Sequence, residues 1–146
     1  MIKVNPENGE FVILPSGSIL SSRLTRSQFL SSPEGIQSKI QIQNEPWCSF
    51  RFEEQEESLL FVVQFKSEKL DAIEIYSHGL EFGVDWKDWS NQKELERKKA
   101  NDAWLLKNNL LPDDIYRLPP SVHRWSKASA PISVMYVFTA TANRWT

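Results

Sequence analysis

Nucleophilic catalysis requires a serine or cysteine whose proton a neighbouring histidine can accept. The chain has one cysteine, Cys48, and two histidines, His78 and His123. Cys48 falls within an alternating run, on the same face as Phe50 and Phe52, where a thiol behaves as a small buried hydrophobe. His78 precedes Gly79 and reads as a turn residue, while His123 alternates with Trp125 on a late strand. No serine sits in a glycine-rich elbow. A structural zinc needs four ligands at close spacing, and three scattered Cys and His residues do not supply them. The five glycines, at 9, 17, 35, 79 and 83, form no phosphate-binding loop. The carboxylate pairs Asp113-Asp114 and Asp85/Asp88 fit helix capping and solubility better than acid–base work. These residues predict a non-catalytic protein without metal or cofactor.

Two other groupings point to recognition of a partner. Glu53, Glu54, Glu56 and Glu57 place four acids within five residues between two apolar runs. A solvated hairpin loop explains them, and so does a surface steered toward a basic partner. Asp85, Trp86, Asp88 and Trp89 set two indoles beside two acids before a long helical segment. The indoles can plug the helix onto a sheet, or one can serve as an exposed anchor. Two basic groupings, Arg97-Lys98-Lys99 and His123-Arg124-Trp125 with Lys127, would suit phosphate contact and base stacking. The first is flanked by Glu94, Glu96 and Asp102, as on an ordinary solvated helix face.

The elements that must position these residues follow from periodicity and turn chemistry. Phe11 to Leu14 is a short strand between Asn8-Gly9 and Pro15-Ser16-Gly17. Thr25 and Gln28 form a capping box with Leu24 and Phe29 as its hydrophobic staple, so a helix runs from about Arg26 to Ser31. Pro33 and Gly35 end it. Ser38 to Gln43 alternates, with Ile40 and Ile42 on one face, as a half-buried strand does. Trp47 to Phe52, Leu59 to Phe65 and Leu70 to Tyr76 continue as strands, the middle one apolar on both faces and therefore central. Their short connections imply an antiparallel meander. The longest helix spans about Ser90 to Leu110, capped by Asp88 or Ser90 and closed by Pro112. Leu95, Ala103, Leu106 and Leu110 form its apolar stripe and Glu94 pairs with Lys98. Val122 to Ser126 and Ile132 to Phe138 make a final hairpin. The fold class is α+β, a mostly antiparallel sheet of about seven strands with one short and one long helix, in the order β-α-β-β-β-β-α-β-β.

Residues 1–146 form one domain, since 146 residues is a common single-domain length and no linker or repeat divides them. A net charge of −2 argues against a dedicated nucleic-acid binder, which is strongly basic. One cysteine excludes an internal disulfide. The longest apolar run, Leu59 to Val63, is far short of the roughly 20 residues of a membrane span, and the N-terminal residues lack a signal-peptide core. A cytoplasmic location is the simplest expectation.

The stretches Asn44-Glu45-Pro46-Trp47-Cys48-Ser49-Phe50 and Trp86-Lys87-Asp88-Trp89-Ser90 resemble a group of small bacterial α+β proteins. Glu94-Leu95-Glu96-Arg97-Lys98 and Asp102-Ala103-Trp104-Leu105 add to the likeness, which extends from about residue 9 to residue 138. Such proteins resemble the immunity proteins of contact-dependent and polymorphic toxin systems. The resemblance implies binding and neutralisation of a cognate toxin domain with a basic surface. It carries no catalytic motif and assigns no residue. The other reading is a small-molecule-binding or enzymatic domain with a pocket between sheet and helix.

Overall fold

A computed structural model describes residues 1–5, 10–21, 23–79, 90–108, 115–118, 121–124 and 136–139. Three short strands come first: β1 (Ile2–Val4), β2 (Phe11–Ile13) and β3 (Ser18–Leu20). They form an antiparallel sheet of their own, in the order β1-β2-β3. Two short helices follow, α1 (Arg26–Ser31) and α2 (Pro33–Gln37). The chain then lays down β4 (Lys39–Asn44), β5 (Trp47–Glu54), β6 (Leu59–Lys66) and β7 (Lys69–Ser77). These form the expected antiparallel meander. After α3 (Asn91–Lys107) come β8 (Ile115–Leu118), β9 (Ser121–Arg124) and β10 (Tyr136–Thr139). The second sheet has seven strands in the order β4-β5-β6-β7-β10-β9-β8. β10 pairs with both β7 and β9, so the last strand closes the gap between the meander and the β8–β9 pair.

The α+β class and the antiparallel order are as expected, with β1, β3, α2 and β8 as additional short elements. The capping box forms in full. The Gln28 amide donates to the Thr25 hydroxyl at 3.1 Å, and the Thr25 amide donates to the Gln28 side chain at 3.0 Å. Pro33 does end α1, but it also opens α2, because Ser32 accepts the Gly35 amide as a new N-cap. Proline suits that first helical position, where its missing N–H costs nothing. Gly35 is required there by space. A Cβ on it would lie 1.8 Å from the Phe29 carbonyl oxygen.

The core lies between the small sheet with α1 on one side and one face of the large sheet on the other. Ile2, Phe11, Ile13 and Leu20 come from the small sheet, and Phe29 from α1. Phe50, Phe52, Phe61, Val63, Phe65, Ile73 and Ile75 come from the large one. Phe29 sits 5.7, 6.0 and 5.8 Å from the rings of Phe50, Phe52 and Phe65. Phe52 stacks on Phe61 at 4.8 Å. Cys48 is buried in the same cluster, opposite Phe65.

Two expectations about faces are corrected. β4 is exposed along its whole length, not half-buried, because it is an edge strand. A register shift between Ile40 and Ile42 also pairs Ile40 with Phe50 and Ile42 with Ser49, which point to opposite faces of β5. In α3 the expected stripe fails. Leu95, Ala103 and Leu106 are exposed, and the buried positions are Arg97, Asn101, Trp104 and Leu105. These recur at helical spacing, but two are polar, so hydropathy hid the docking face. Asn101 accepts the Ser77 amide at 2.8 Å, tying α3 to the end of β7. Ser90 caps the helix, and Lys98 pairs with Asp102 at 2.5 Å. Leu110, Pro112, Asp88 and the Glu94 side chain lie outside the described residues. Among the described residues, no helix is long and apolar enough to cross a membrane.

Candidate functional site

The β5–β6 turn gathers the four predicted glutamates, and its geometry gives each a different task. Glu54 organises the turn itself: its two carboxylate oxygens accept the amides of Glu56 and Glu57, each at 3.0 Å. Glu57 joins three elements. It accepts the Ile2 amide of β1 at 2.6 Å and the Trp104 indole N–H of α3 at 3.1 Å. Lys107 adds a cation at 4.0 Å. Both side chains are largely taken in, with 11% of Glu54 and 14% of Glu57 exposed. Glu53 and Glu56 face outward, at 48% and 63%. Glu56 accepts from the Met1 amino group at 2.6 Å, which raises the pKa of that amine through this bond and the neighbouring carboxylates.

Glu53 also meets a residue that the sequence reads only as a turn position. His78, directly after β7, places Nε2 3.2 Å from Glu53 Oε1, and its amide donates to the Ser58 carbonyl at 2.9 Å. The meander explains the meeting. Glu54 pairs with Leu59 and Leu59 with Ser77, so the end of β7 must lie beside the turn. Extending the antiparallel order one residue past β7 brings His78 beside Glu53, a pairing the sequence reading lacks. Glu53, Gln55, Ser58, Leu59 and His78 line a recess of about 380 Å3. Ser58 holds a left-handed backbone, φ 54°, at its wall.

Chemically, a carboxylate-oriented imidazole beside a recess can hold or transfer a proton. Among the described residues no hydroxyl or thiol hydrogen-bonds to the His78 ring. Cys48 stands six positions along β5 from Glu54, about 20 Å at the strand rise, so it does not join His78. His123 lies four strands from β5 through the pairings of β9, β10, β7 and β6, roughly 19 Å at the inter-strand spacing. Among the described residues no group of three or more His, Cys, Asp or Glu is placed to hold a metal ion. The basic run on α3 is divided: Arg97 is buried, while Lys98 and Lys99 pair with Asp102 and Glu96.

Asp85, Trp86, Asp88 and Trp89 lie outside the described residues, so their relation to the turn is not part of this geometry. No protein-family model matches the chain, and no curated protein or solved structure matches it either.

Proposed function

We propose that the protein is a non-catalytic, cytoplasmic binding protein of the immunity type, which occludes a basic surface on a toxin domain. The observation that carries this reading is the preorganised acidic turn. Glu54 and Glu57 are used internally to fix the loop, and Glu53 and Glu56 project from it. A loop already ordered loses little entropy when a partner docks, so more of the contact energy appears as affinity. Outward carboxylates also raise the rate of encounter with a basic surface. Asp85, Asp88, Trp86 and Trp89 are proposed as further acids and anchors for the same partner. The resemblance to immunity proteins supplies the class of partner.

The test is co-expression with candidate toxin domains encoded in the neighbouring genes. Rescue of growth and co-purification of a complex support the reading. Absence of both removes it. The His78–Glu53 recess favours one second reading, a small-molecule site with acid–base capability. It predicts a ligand whose binding is lost in His78→Gln, with the partner complex unaffected.

A further inference from the structure

A different recess, of about 210 Å3, opens where β4 begins and β5 ends, walled by Gln37, Lys39, Arg51, Phe52, Glu53 and Gln55. Lys39 and Arg51 are direct partners in the antiparallel register. Their side chains therefore leave the sheet on the same face, where like charges repel and weaken strand pairing. Elsewhere Arg26 is matched by Glu45, Lys98 by Asp102 and Lys99 by Glu96. Among the described residues no carboxylate lies within 4.0 Å of Lys39 or Arg51. The acid in the recess, Glu53, is turned to His78. The side-chain amides of Gln37 and Gln55 make no hydrogen bond among the described residues and are free to donate. Two cations without a carboxylate partner at one register position thus border a cavity together with two amides free to donate.

We propose that this recess binds a small oxyanion, a phosphate or carboxylate group. Arg51 supplies a planar fork that matches such oxygens, and Lys39 supplies a compact charge on the other side. Gln37 and Gln55 donate to the remaining oxygens. A bound anion turns the cross-strand repulsion into attraction toward a common centre, so occupancy firms the exposed β4 edge. The site stands apart from the partner-binding reading, because these cations can be removed with Glu53 and Glu56 intact.

The experiment is a titration of the full chain with sodium phosphate and, separately, sodium acetate, following backbone amide resonances and the melting temperature. Sodium chloride at matched ionic strength is the reference. The expected result is a saturable shift of amides at 37–39 and 51–55 with a rise in Tm, in phosphate, acetate or both, absent in the Lys39→Ala/Arg51→Ala double variant. Response to one salt alone assigns the oxyanion class. Should the double variant fail to fold, Arg51→Gln and Lys39→Gln singly are each expected to weaken binding about tenfold, the loss of one charge-assisted contact. No saturable response in wild type, equal response to chloride, or a response that survives these substitutions overturns the proposal.

Discussion

At Glu57 both carboxylate oxygens are occupied, one by the Ile2 amide and the other by the Trp104 indole. Glu56, one residue earlier, is 63% exposed. Composition makes these two glutamates equivalent, but the fold does not. Removing an acceptor from largely buried donors costs about 1–3 kcal/mol for each donor stranded. Glu57→Ala should therefore lower the urea midpoint by the equivalent of about 2–6 kcal/mol, whereas Glu53→Ala should cost under about 1 kcal/mol, as exposed polar contacts do. Equilibrium unfolding of the two variants checks this, and equal losses would contradict the division of labour within the turn. The four acids were legible as a group in the sequence. Which of them face outward was not, because their partners come from β1, α3 and the end of β7, far away in the chain.

Elements succeed or fail as readings according to where their determinants lie. The α1 capping box is wholly local, and Thr25 and Gln28 form it as the sequence predicts. The docking face of α3 was missed because Asn101 and Trp104 attach by hydrogen bonds, and a polar docking residue is invisible to an apolar-stripe criterion. The strand β4 lies where alternation places it, but its expected half-burial fails because alternation reveals neither an edge position nor a bulge. The α1–α2 junction yields two expectations. Gly35→Ala forces a methyl group against the Phe29 carbonyl and should destabilise the protein by about 1–3 kcal/mol, the cost of overpacking. Phe29→Ala should cost about 3–5 kcal/mol through the cavity it leaves among Phe50, Phe52 and Phe65. Thermal or urea denaturation measures both.

The start of α1 is also held to the β6–β7 turn by Glu68, which accepts from the Ser27 hydroxyl at 2.9 Å and its amide at 3.1 Å. These bonds, the hydroxyl first, hold the Glu68 pKa below the ordinary glutamate value, with a smaller contribution from Arg26. A carboxylate with a depressed folded-state pKa stabilises the protein above its unfolded pKa. That contribution disappears as pH falls through the folded value. Glu68→Gln should thus flatten the acid limb of a Tm-against-pH curve and leave the curve's shape above that limb unchanged. An acid limb identical to wild type would show that the tether carries no proton linkage.

At the scale of the whole molecule, the seven-stranded sheet is completed out of chain order, with β10 inserted beside β7. The α+β class was legible from runs of strands interrupted by helices. The pairing of β10 with β7 was not, because long-range strand order is set by which edges remain open after the meander has formed. The completed meander puts the β5–β6 turn, the end of β7 and the buried face of α3 at one end of the sheet. Surface complementarity at that end, with Glu53 and Glu56 outermost, is the basis of the proposed neutralisation of a basic partner. The most direct measurement is the association rate between this protein and a candidate toxin domain from its gene neighbourhood, for wild type and for Glu53→Lys/Glu56→Lys, at low and high salt. Wild type should form a complex whose association rate falls steeply with salt, and the double reversal should slow association by roughly tenfold or more. No complex with wild type, or one formed equally fast after the reversal, would contradict the account.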